Sequence, residues 1–149
     1  MKMIIPRPLK LEHKELHGEL VQAIRTPGQI GKAAQRVAKI LHPHFLKEEE
    51  YALPPIGLLK VLTKSKVSKD MKEVLVMTDK LKKDLPNMLG EHKSVVAALK
   101  KLVAAAKKEK RHDVVHFAAK LMLHAKTEEE VLYPAAILIG EYVKTRLGS

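Results

Sequence analysis

The sequence predicts an all-helical protein whose four long helices pack around one core, and three observations predict it. The string His44-Phe-Leu-Lys-Glu48-Glu49-Glu50 returns as His124-Ala-Lys-Thr-Glu128-Glu129-Glu130, and each copy is closed by a proline, Pro54 and Pro134. Each copy is preceded by a second recurring triplet, Glu12-His13-Lys14 and then Glu91-His92-Lys93. The 149 residues are 46% hydrophobic with three Tyr, two Phe and no Trp, so the core must be built from Leu, Val, Ala, Ile and Met, a composition that suits helices.

The elements follow in order. Residues 1–8 form an extended lead-in, because Pro6 and Pro8 remove donors and push their predecessors away from helical angles. A first helix over Leu9 to Arg25 carries the stripe Leu9, His13, Leu16, Leu20 and Ile24, which turns His13 toward the core. Thr26-Pro27 starts the second helix, threonine capping and proline occupying the first turn. Its stripe is Ile30, Ala34, Val37, Ile40 or Leu41, His44, Glu48 and Tyr51, with Pro43 expected to bend or divide it. Pro54-Pro55 ends that helix, and Ile56 to Thr63 makes a short extra apolar segment covering one end of the bundle. Thr63 to Lys69, polar and basic, is the loop between the halves.

The third helix begins near Ser68 to Lys72 and carries Met71, Leu75, Thr78, Leu81 or Lys82, and Leu85. Beyond Pro86 the period resumes as Leu89, His92, Val96, Leu99, Val103 and Ala106, as one bent helix or two on a shared axis. Glu109 to Asp113 is a tight turn in which Asp113 caps the fourth helix. That helix turns Val114, Phe117, Leu121, His124, Glu128, Val131 or Leu132, and Ala135 inward, and Pro134 should kink it. The whole, residues 1–149, is expected to be a single domain with repeat halves of about 9–62 and 70–145, neither having enough core to fold by itself.

Composition excludes some chemistry. With no cysteine there is no disulfide, thiolate ligand or cysteine nucleophile, so any metal must sit on imidazole and carboxylate. No apolar run is long enough to span a bilayer, and a soluble cytoplasmic protein is expected. The net charge of +11 comes from lysines spread along the chain, which gives non-specific contact with anionic surfaces rather than a specific nucleic-acid site.

A histidine and a glutamate four residues apart on a helix stack on one face. Two such helices and two single-histidine helices bring together His13, His44, His92, His124, Glu48 and Glu128, a balanced set for two metal ions. Imidazole with carboxylate suits iron, manganese or zinc, whereas calcium and magnesium take all-oxygen shells. If each ion takes two histidines and the glutamates bridge, an oxide or hydroxide bridge and an exchangeable small molecule complete the octahedra.

The pattern Glu12-His13, His44-x-x-x-Glu48-Glu49, Glu91-His92 and His124-x-x-x-Glu128-Glu129 with Tyr133-Pro134 resembles the hemerythrin-like family, the HHE cation-binding domains, over about residues 9 to 145. The resemblance implies an up-and-down four-helix bundle around a non-haem di-iron centre with an Fe–O–Fe or hydroxo bridge. The family uses such centres to bind dioxygen or a small oxidant in oxygen carriage, sensing, iron handling and stress defence. It implies His13, His44, His92 and His124 as terminal ligands and Glu48 and Glu128 as bridges. Oxygen-carrying hemerythrins have a fifth histidine one turn beyond the position of His92, where this chain has Val96.

Around these six stand further candidates. His17, one turn beyond His13, is a candidate fifth ligand or a rim histidine. Glu49 and Glu129 are candidates to hold a ligand histidine's other nitrogen. Tyr51 and Tyr133 are candidates to hydrogen-bond a ligand glutamate or to pack in the core, while Glu12 and Glu91 are expected at packing edges or the surface, as are His42, His112 and His116. Two other functional classes stand beside a di-iron binding module. One is a basic helical protein binding nucleic acid or membrane phosphate without a metal site; the other is a di-iron enzyme processing nitric oxide or peroxide.

Overall fold

A computed structural model describes residues 3–148. Four long helices form the bundle: α1 (Arg7–Ile24), α2 (Gln29–Lys47), α4 (Glu73–Lys108) and α5 (His112–Thr127). A short α3 (Leu58–Leu62), entered through a 3₁₀ turn at Pro54–Gly57, follows the second helix as the expected extra segment. α6 (Tyr133–Gly148) extends the line of α5. Met1 and Lys2 of the expected lead-in lie outside the described residues.

The apolar core runs the length of the bundle in three parts. Leu16, Leu20, Ile30, Val37, Leu41, Leu99, Leu102, Phe117 and Leu121 fill the end carrying the α1–α2 and α4–α5 turns. Tyr51, Leu53, Leu81, Met88, Tyr133 and Ala136 fill the middle, and Leu58, Met71, Val74, Ile139 and Val143 the far end under α3 and α6. The layer of histidines and glutamates lies between the first two parts, so the metal-binding candidates are enclosed by apolar packing on both sides.

Several element boundaries differ from expectation for local reasons. α1 begins at Arg7, two residues early, because Pro8 fits the first turn, where a helix has no use for its N–H. Thr26-Pro27 do not start α2. The chain turns there through Gly28 at φ 80°, a left-handed conformation that glycine adopts freely, and α2 starts at Gln29. Asp113 is not the cap of α5 but lies in its first turn, paired with Arg111. Pro43 and Pro86 do not divide their helices: both face solvent, as do Lys39 and Lys82, whose carbonyls they free for water. Along α4 Thr78, Leu81, His92, Leu99 and Ala106 are buried as expected, while at the other turns the buried residues are Val74, Met88, Val95 and Leu102, each one place before the expected Leu75, Leu89, Val96 and Val103.

The largest departure is a pair of π-helical turns, Glu48–Ala52 after α2 and Glu128–Leu132 after α5. In each, the amide five residues after the glutamate donates to the glutamate's carbonyl, Leu53 to Glu48 at 2.8 Å and Tyr133 to Glu128. A π turn inserts one residue into the helical count and so advances the buried stripe by one place. Past Glu128 the first buried residues are accordingly Tyr133 and Ala136, while Val131 is exposed and Leu132 and Ala135 are half-buried.

Candidate metal centre

α1, α2, α4 and α5 each supply one histidine to the centre of the bundle, and the two π turns begin with its two glutamates. His13, His44, His92, His124, Glu48 and Glu128 are all buried, the glutamates almost completely. Their ligand atoms form two groups, each within 4.8 Å: His13, Glu48, His124 and Glu128, and His44, Glu48, His92 and Glu128. Both glutamates belong to both groups, and each divides its oxygens between them. Glu48 Oε1 lies 3.5 Å from His13 Nε2, and its Oε2 lies 3.5 Å from His44 Nε2. Glu128 Oε1 lies 3.1 Å from His92 Nε2, and its Oε2 lies 3.1 Å from His124 Nε2.

The outer nitrogens fix how the rings face. His44 Nδ1–H donates to Glu91 Oε1 at 2.8 Å, His92 Nδ1–H donates to Glu129 Oε1 at 3.1 Å, and His124 Nδ1–H donates to Glu12. A carboxylate only accepts, so these bonds place a proton on Nδ1 and leave the Nε2 lone pairs of neutral rings pointing inward. Glu12 and Glu91, expected at packing edges or the surface, therefore orient histidines across the helix interface. Each sits a quarter-turn from the histidine beside it in sequence and serves one on another helix. Glu49 is 3.6 Å from His13 Nδ1, which has no hydrogen-bond partner.

The chamber is consequently rich in acceptors and poor in donors. Glu48 Oε1 and Glu128 Oε2 are buried without a hydrogen-bond partner, and His13 Nε2 faces His124 Nε2 at 3.1 Å. Such a set fits cations and is costly without them. Without metal, protons take part of that role. Burial disfavours charge on His44 and His124, but Glu48 and Glu91 around the first and Glu128 and Glu12 around the second outweigh it, raising both to about 9. Burial, then the charge of Glu128, raises Glu48 to about 7. Burial would also raise Glu128, yet Glu48 and the imidazoles of His124, His13 and His92 beside it hold it well below the usual carboxylate range.

The two groups meet different side chains. Tyr133 O–H donates to Glu48 Oε2 at 2.6 Å and stands 3.2 Å from both His44 Nε2 and His92 Nε2. Burial, with the charges of Glu48 and Glu128 next, raises its pKa far above the ordinary phenol value. The π turn places it there, because with five residues per hydrogen-bonded turn Tyr133 falls on the face of Glu128. Leu53 holds the equivalent place after Glu48, so the group of His13 and His124 has no phenol and meets Phe45 stacked on His13 at 4.1 Å instead. Tyr51 points away and donates to Asp84, and His17 is exposed, outside both groups, its ring 6.3 Å from that of His42.

No family model matches the chain, and the searches of curated proteins and of solved structures returned no match. The two His₂Glu₂ groups in an all-α bundle are consistent with a hemerythrin-like di-iron-binding domain and suggest a non-haem di-metal site. No helix among the described residues is long and apolar enough to cross a membrane.

Proposed function

We propose that the chain is a non-haem di-iron module that binds dioxygen or a small oxidant, serving in oxygen or redox sensing, iron handling or stress defence. The observation that carries this reading is the division of Glu48 and Glu128, each giving one oxygen to each histidine pair, which is what two bridging carboxylates require. His13 and His124 would hold one ion and His44 and His92 the other. When bound, an iron pair supplies two adjacent reducible centres to a small molecule. Zinc or manganese satisfies the same donors, but only a reducible metal gives them an oxidant to meet.

The protein's own part is enclosure and orientation. Phe45, Leu41 and Leu121 on one side and Leu53, Met88 and Ala136 on the other enclose the layer in apolar packing that excludes bulk water. Among the described residues Tyr133 places a hydroxyl proton against this layer, bonded to Glu48. That phenol favours a second reading, an enzyme that reduces peroxide or nitric oxide, since such reductions consume protons.

Metal analysis and oxygen uptake separate the readings. Anaerobic loading with Fe(II) should give about two ions per chain. Uptake of dioxygen that stops at a fixed stoichiometry supports binding, and continued consumption of peroxide or nitric oxide with added reductant supports the enzyme. Protein that takes up no iron overturns both.

A further inference from the structure

A second group of histidines lies on the outside of the α1–α2 face. His17 and His42 are both exposed, their rings 6.3 Å apart, on helices held rigidly side by side. They line a groove of about 300 Å³ that also reaches His13, Phe45 and Glu49. At its floor is His13 Nδ1, in a side chain only 3% exposed, with no hydrogen-bond partner and Glu49 Oε1 3.6 Å away. The other nitrogen of that ring, Nε2, lies in the buried centre against Glu48, Glu128 and His124. His13 is thus a single side chain with one donor atom toward the groove and the other toward the metal candidates.

Two imidazoles on adjacent rigid helices chelate a borderline transition-metal ion, and the chelate is stronger than either ring alone because the second attachment is intramolecular. Lys10 and Lys14 line the same groove, and the chain carries +11, so charge alone does not draw a cation there. Neutral imidazole nitrogens bind such an ion without needing a negative field.

We propose that His17 and His42 hold a divalent transition-metal ion at the surface and pass it through Glu49 and His13 to the buried centre. The transfer exchanges nitrogen and carboxylate donors around the ion and leaves its oxidation state unchanged. It rests on the di-metal reading of the centre, whereas the surface ion itself does not.

Calorimetric titration with Zn²⁺ tests the surface site, and anaerobic stopped-flow loading with Fe²⁺ tests the passage. Wild type should bind about three Zn²⁺ per chain, the third more weakly than the first pair. His17→Ala/His42→Ala, two exposed changes that leave the core intact, should lose that third ion and slow Fe²⁺ loading by about tenfold with two buried iron ions still bound at the end. Glu48→Gln/His92→Ala/His124→Ala/Glu128→Gln, which leaves each buried group a single histidine, should keep one weak ion, and adding His17→Ala/His42→Ala should abolish it. No weak ion in the variant that keeps His17 and His42, or a weak ion that survives their loss, overturns the surface site. An unchanged loading rate overturns the passage, and a wild type that binds only the weak ion overturns the buried centre while leaving the surface site standing.

Discussion

The α1–α2 and α4–α5 halves carry the same metal-binding candidates and yet build unlike surroundings for them. Each contributes a Glu-His pair, a His-x-x-x-Glu helix and a π turn, and the two interlock so that each histidine pair draws one member from each half. The position five residues beyond the glutamate is Leu53 in one half and Tyr133 in the other. Two sites supplied by a repeat are made inequivalent by a buried phenol that only the His44/His92 side meets, and by Phe45, which stacks on His13 of the other side.

The shared part of that comparison predicts the largest effect. Glu48→Ala and Glu128→Ala should be equally severe, each lowering iron from about two per chain to less than about 0.5 and removing the metal-induced rise in melting temperature. Metal analysis and thermal melts check this, and a large difference between the two variants would break the symmetry. Smaller losses should follow at the carboxylates behind the rings. Glu91→Ala and Glu12→Ala should weaken metal binding by about 10- to 100-fold. Glu91 should matter more, because it is less exposed than Glu12 and is anchored by Lys47 Nζ at 2.9 Å.

The differing part predicts subtler changes. Tyr133→Phe should keep both ions. Iron-loaded wild type should give two Mössbauer doublets of equal area, and the variant should bring them together. Without metal the same change leaves Glu48 Oε2 short of its donor, costing about 1–3 kcal/mol in a denaturant melt.

The metal-free site also sets a pH dependence. His44 and His124 titrate near 9 in the fold against an ordinary 6.5, so their contribution is complete below pH 6.5 and is lost as pH rises through 9. Glu48, raised to about 7 from 4.5, is costlier to ionise in the fold than unfolded, so stability also falls as pH rises from 4.5 to 7. Glu128, held low, contributes above its ordinary value and adds no slope across this range. The melting temperature of metal-free protein should therefore drop by several degrees, about 5 °C, between pH 6 and 9. Apparent metal affinity should climb over the same range, because ions then compete with fewer protons.

The helical class and the six converging residues were legible because both rest on periodicity, which places His13, His44, His92 and His124 on inward faces whatever the details of packing. What was not legible depended on a change of period or on a neighbouring helix. The π turns leave no spacing signal beyond the proline that follows each one, so Tyr133 could not be told from Tyr51, although one enters the centre and the other bonds Asp84. Glu12 and Glu91 point away from their own histidines, and only the packing of α1 on α5 and of α2 on α4 reveals that they serve His124 and His44. Their recurrence beside each histidine was the available signal.

An anomalous-difference map from crystals of the iron-loaded protein, collected at the iron edge, tests the paired centre directly. It should contain two buried peaks, one between His13 and His124 and one between His44 and His92, with Glu48 and Glu128 each spanning both. A single buried peak, or iron confined to the surface with the chamber empty, would contradict it.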